Sequence, residues 1–186
     1  MTIAQHTKQK KKTKKTKSSP TKEVQKWIRE FVEVPHPVFA DFPPCPFAKK
    51  ARLENKTEFR EVSDMEPDSN IWIYIEKFDF DKKDILILIF DKKRWKPHYT
   101  KKLAEELNES FKNKNIVVIE DHPKLVERVK DVILNNGNYI LIFCQERTKL
   151  QKFEKQLRKT DYYKNWSTKY EEEVTGSWRH PVKIEL

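Results

Sequence analysis

Six consecutive apolar residues, Ile85-Leu86-Ile87-Leu88-Ile89-Phe90, stand between Asp84 and Asp91. The run lacks the two-residue alternation of a half-exposed strand and is too short for a buried helix. It predicts a central strand covered on both faces, and such a strand needs a layer on each side. Residues 115–120 and 139–144 repeat the pattern. The segments between them read as helices. Residues 99–112 turn Leu103, Ala104, Leu107 and Phe111 inward. Residues 123–134 would do the same with Leu125, Val126, Val129, Val132 and Ile133, stopped by Asn135-Asn136-Gly137-Asn138. A highly charged helix is expected over 148–157.

Upstream, Thr21 is placed to cap a helix over 22–34, whose apolar stripe is Trp27, Ile28, Phe31, Val32 and Val34. Residues 56–62 alternate and predict a modest edge strand. Ile71, Trp72, Ile75 and Phe78 favour a helix over 68–78, although Ile-Trp-Ile-Tyr-Ile has strong strand propensity. Strands alternating with helices give a layered α/β sandwich with three to four mainly buried strands. Two arrangements satisfy this order: a ferredoxin-like sandwich with extra helices, or a small parallel sheet with helices on both faces.

Composition narrows the function classes. Two glycines in 186 residues exclude Gly-rich phosphate loops of the P-loop or dinucleotide type. The net charge is +10, but residues 1–20 hold seven lysines and no acid, leaving only +3 for the rest. Basicity is therefore a tail property, and 1–20 reads as a disordered tail ahead of a single domain over 21–186. Lys10, Lys11, Lys12, Lys14 and Lys15 are its candidates for non-specific nucleic-acid contact. Two cysteines without metal-finger spacing suggest a reducing compartment, and no apolar run reaches membrane-spanning length. A soluble, cytoplasmic protein without membrane partners is expected.

The most unusual composition lies over 35–53. Five prolines fall between Pro35 and Pro46, which makes a stiff, extended lead-in. Pro46 suits the first position of a short helix ending near Leu53, which would put Cys45 at its N-cap. There the helix dipole and Lys49 would both favour the thiolate. Cys45, His36 and Lys49 are thus the catalytic candidates, with His36 as a base folding back.

Several histidines adjoin proline: His36-Pro37, Pro97-His98, His122-Pro123 and His180-Pro181. Cys45, His36, His122 and His180 could converge as metal ligands, though without the i, i+4 spacing of a helical site. Acids bound the apolar runs at Asp81, Asp84, Asp91, Glu120 and Asp121, with Gln145-Glu146 after the third. In a parallel sheet such ends can hold a cation. No cofactor is specified. Lys93-Arg94-Trp95-Lys96 and Tyr162-Tyr163-Lys164-Asn165-Trp166 interleave bases with aromatics, as single-strand stacking platforms do. The segment 162–186 is expected to be irregular.

Trp27 followed by Cys45-Pro46-Phe47-Ala48, with Asp121-His122-Pro123 after the second apolar strand, resembles a bacterial and phage family of unknown function. That family is marked by a Trp-containing helix and a Cys-Pro-Phe-Ala segment. The likeness covers about a third of the chain, and Pro35-His36-Pro37 departs from the pattern. It implies an α/β body and a site at the cysteine, without a reaction. Two readings follow. One is a small domain with a Cys45-centred site, acting through a reactive thiol or a Cys/His-bound metal. The other is a non-enzymatic binding module that contacts nucleic acid or a protein through the tail and the basic-aromatic patches.

Overall fold

The computed structural model describes residues 18–176. The tail lysines and His180 lie outside them. Chain order begins with α1 (Pro20–Trp27), which runs on as a π-helical turn (Ile28–Val32). Ser19, not Thr21, is the cap: its hydroxyl accepts the Lys22 amide, and Pro20 takes the first helical position. Helix α1 therefore begins at the last residue of the expected tail, with its cap one residue earlier. Next come α2 (Ala48–Leu53), the edge strand β1 (Thr57–Glu61), α3 (Asn70–Glu76) and the central strand β2 (Ile85–Asp91). Then follow α4 (Pro97–Phe111), β3 (Ile116–Asp121), a small hairpin of β4 (Arg128–Val129) and β5 (Val132–Ile133), and β6 (Tyr139–Glu146). The chain closes with α5 (Arg147–Leu157) and α6 (Thr168–Thr175).

The layered α/β expectation holds, with four main strands and helices on both faces. The strand order is β1-β2-β6-β3. β1 and β2 are parallel, and β6 runs antiparallel to both β2 and β3. This mixed sheet is neither wholly parallel nor ferredoxin-like. The short β4–β5 hairpin between β3 and β6 lets the chain return antiparallel, where a helical crossover would have kept it parallel.

That hairpin replaces the helix expected over 123–134. Lys130 adopts a left-handed φ of 53° and, with Asp131, turns the chain tightly between Val129 and Val132. The asparagines beyond it are not a helix stop. Asn135 Nδ2 and both the Asn136 backbone N–H and Nδ2 donate to the Asp121 carboxylate.

Residue parity divides the core between the two faces. Leu86, Leu88 and Phe90 of β2 and Ile140, Ile142 and Cys144 of β6 face α3 and α4, where Ile71, Ile75, Leu103, Leu107 and Phe111 meet them. Ile87, Ile89 and Leu141 face the other way, toward Val24 and Ile28. A third cluster is built from Phe39, Val129, Leu157 and Tyr162.

The outer edge of β3 is closed by side chains. Asn108 of α4 donates from Nδ2 to the Val118 carbonyl at 2.8 Å and accepts the Val118 N–H at 2.9 Å. Arg147 donates to the Ile116 carbonyl. Backbone groups that would otherwise invite another strand are thereby occupied.

Candidate functional site

The site begins where α1 loosens. At Ile28 the ladder lengthens by one residue, and the Glu33 amide donates to the Ile28 carbonyl at 2.9 Å. Such π turns leave carbonyls imperfectly shared and recur at functional positions. Here the Val32 carbonyl receives the Cys45 amide at 3.1 Å, which stitches the proline-rich segment to the helix. Arg52 of α2 adds a fork to the buried Glu33 carboxylate, at 2.7 and 2.8 Å. The segment is held from its other side by the C-terminal aromatics. Tyr162 Oη donates to the Pro44 carbonyl, and Asn165 Nδ2 donates to the Val38 carbonyl.

Between these braces and the sheet lies a cavity of about 630 Å³. Its floor is the odd-numbered sheet face: Phe59, Ile85, Ile87, Ile119 and Phe143. Ile28, Phe31 and Val32 of the π turn form one side, and Leu150, Phe153 and Leu157 of α5 another. Cys45 and Phe47 join them, and Tyr162, Tyr163, Trp166 and Tyr170 close the far end. Charged groups on the lining include matched pairs, with Lys149 between Asp84 and Glu146 at 3.1 and 3.0 Å.

Cys45 is on this wall, as a partly buried free thiol. It is not a helix cap. Residues 46–47 form a turn, α2 starts only at Ala48, and Phe47 occupies the cap position. Burial pushes the Cys45 thiol above its ordinary value, and the Phe47 and Ala48 amides only partly offset this. The expected acidic thiol is therefore corrected to one that is mostly protonated at neutral pH. Cys144, at 0% exposure in β6, is also pushed up, by burial alone.

The other predicted residues are dispersed. Lys49 is exposed and His36 half-buried, and neither is among the cavity-lining residues. His36 Nδ1 accepts the Val38 amide at 3.1 Å and starts a short 3-10 turn. His122 is buried, with Nδ1 accepting the Lys124 amide and Nε2 against the Trp95 carbonyl. His36 thus spends one ring nitrogen on backbone and His122 both, each at a turn. Among the described residues no group of three or more His, Cys, Asp or Glu is placed to hold a metal ion. The strand-end acids also separate, because β6 is antiparallel and carries Glu146 to the end of the sheet opposite Asp91 and Asp121.

In the basic-aromatic stretches the rings and Arg94 pack inward, while Lys93, Lys96 and Lys164 are exposed. Arg94 is 7% exposed in its side chain and donates to the Ser63 and Glu66 carbonyls and to Asp68. Trp95 packs on Phe90. Tyr162, Tyr163 and Trp166 pack with Phe39, and α6 follows in a segment expected to be irregular.

Sequence reading missed the cavity floor and Phe153. The available signal was the aromatic spacing Tyr162, Tyr163, Trp166 and Tyr170, a one-sided stripe rather than a stacking platform. Comparison with known proteins adds no identity: no family model, no curated protein and no solved structure matches this chain.

Proposed function

We propose that this chain binds a small, largely apolar molecule in the cavity between the sheet and the proline-rich segment, with Cys45 as a wall residue. The observation that carries this is the cavity itself, about 630 Å³ with an apolar floor and sides. Interiors normally close voids of this size, because their lining forfeits dispersion contacts. Ligand sites typically span ~300–1,000 Å³ with mainly apolar and aromatic walls and a few polar groups. The braces support the reading. The π turn, the Glu33–Arg52 fork and the Tyr162–Pro44 bond hold the walls apart independently of any occupant.

Cys45 belongs to this site as a neutral thiol facing an apolar space. That setting suits contact with a ligand better than nucleophilic attack at neutral pH. Titration with N-phenyl-1-naphthylamine, a neutral dye that brightens in apolar surroundings, tests the reading. Saturable 1:1 enhancement is expected for the native chain and loss of it for Leu150→Trp, which fills the cavity from α5. Enhancement that is absent in the native chain, or equal in the variant, contradicts it.

A further inference from the structure

We infer that the occupant of this cavity is a flat aromatic molecule, held by stacking rather than by the burial of an alkyl chain. The inference rests on the binding reading above and adds the chemical class of the ligand. It comes from the way aromatic rings are distributed in the molecule.

Four ring pairs among the described residues are parallel-stacked, and every one of them reaches the cavity. Trp27–Phe31 has ring centroids 6.4 Å apart at 28°, and both rings line the space. Phe47–Phe153 has centroids 3.8 Å apart at 14°, and again both line it. Trp166–Tyr170 is 5.0 Å at 25°, with both rings on the lining. Phe39–Tyr162, at 5.8 Å and 26°, contributes Tyr162. Other ring pairs on the same wall meet edge-on or tilted, with Tyr162–Tyr163 at 85°, Tyr163–Trp166 at 68° and Tyr162–Trp166 at 47°. On the opposite face of the sheet no pair among the described residues is parallel. Phe78–Phe80 meets at 82°, Phe90–Trp95 at 46° and Trp95–Tyr99 at 40°.

Aromatic pairs pack either offset-stacked or edge-to-face, because both match positive ring edges to negative faces. Parallel pairs leave ring faces pointing the same way. When they line an open space, another flat ring can extend the stack. The three pairs with both rings on the lining come from α1 and its π turn, from the Cys45 segment with α5, and from the C-terminal segment. They therefore form the sides of the cavity, above a floor of Ile85, Ile87 and Ile119 with Phe59 and Phe143. A molecule of two or three fused or linked rings fits the volume and meets ring faces on more than one side.

The test compares N-phenyl-1-naphthylamine with 1-dodecanol, an aliphatic competitor, on the full chain and on Phe153→Leu and Trp27→Leu. Stacking on one pair is worth a factor of about 3–10 in affinity. Each variant should weaken the dye by about that factor and leave dodecanol unchanged, and dodecanol should displace the dye only at more than about ten times its concentration. If dodecanol competes on equal terms, or both ligands weaken together in the variants, the preference for rings is wrong while the cavity remains a binding site. If neither ligand binds the native chain, the binding reading fails and the ring preference with it. Circular dichroism of both variants guards against a loss caused by unfolding, and a result in either folded variant suffices.

Discussion

The two faces of the sheet are made from the same strands but finished differently. On the even-numbered face Leu86, Leu88, Phe90, Ile140 and Ile142 are at most 1% exposed, and α3 and α4 lie directly on them. On the odd-numbered face Ile87, Ile89 and Leu141 are as buried, yet their neighbours Phe59, Ile85 and Phe143 are only partly so and look into the cavity. Alternating side chains in one strand thus serve a closed core and an open wall at once. The difference lies in the covering layer. α4 is long and amphipathic and packs along its length. The opposite layer is assembled from a loosened helix, a proline-rich segment and a C-terminal aromatic cluster that brace each other.

Truncation should separate the two faces. Leu88→Ala leaves a hole in a filled core and should cost about 2–5 kcal/mol, read from the urea midpoint. Ile87→Ala enlarges a space that already exists, so fewer contacts are lost, and about 1–2 kcal/mol is expected. Equal costs would break the comparison.

Closure of the dense side extends to its edge. Asn108→Ala should cost about 1–3 kcal/mol, because the Val118 N–H and carbonyl would both lose their partner. It should also promote concentration-dependent self-association through the freed edge of β3, visible by light scattering.

A loop on the closed side supplies a pH test. Burial works against the Asp68 charge, but Arg94 and Tyr99 outweigh it and hold the carboxyl below its ordinary value. A lowered folded pKa gives stability that is present above the unfolded value and lost as pH falls through the folded one. The melting temperature of Asp68→Asn should therefore lie below that of the native chain near neutrality. The gap should close in acid. A gap that widens on acidification would contradict the assigned role of Arg94.

The smallest stability effect belongs to the open side. Leu150→Trp adds volume where space is available and should change stability by less than about 1 kcal/mol, unlike insertion into a filled core. A loss of several kcal/mol would mean that the cavity is smaller or stiffer than its walls indicate.

How much of this was legible depended on how local the signal was. The runs that became β2, β3 and β6 announced themselves because charges bound them and neither face needed polar residues. Asn70–Glu76 was readable as a helix through Ile71 and Ile75 despite its strand-like composition. The 123–134 segment misled because Leu125, Val129 and Val132 mimic helical spacing. The deciding feature was a left-handed Lys130, a conformation that lysine does not advertise. The Cys45 segment stood out by its prolines, and Cys45 lines the cavity. Its surroundings were not legible, because residues 46–47 form a turn and Tyr162, more than a hundred residues on, bonds to the Pro44 carbonyl beside a thiol that burial pushes up. The cavity was invisible for the same reason, since its walls come from Trp27 to Tyr170.

Native-state alkylation of Cys45 by iodoacetamide, followed by peptide mass spectrometry with and without saturating N-phenyl-1-naphthylamine, tests the central claim most directly. Cys144 in β6 serves as the internal comparison and should stay unlabelled until the chain unfolds. The account predicts that Cys45 labels slowly at neutral pH and faster only above the ordinary thiol range of roughly 8.5, because burial raises its pKa. Bound dye should slow the labelling by at least about fivefold, since it would occupy the space the reagent must enter. A labelling midpoint below the ordinary thiol value, or a rate that bound dye leaves unchanged, would contradict a neutral Cys45 on the wall of the ligand cavity.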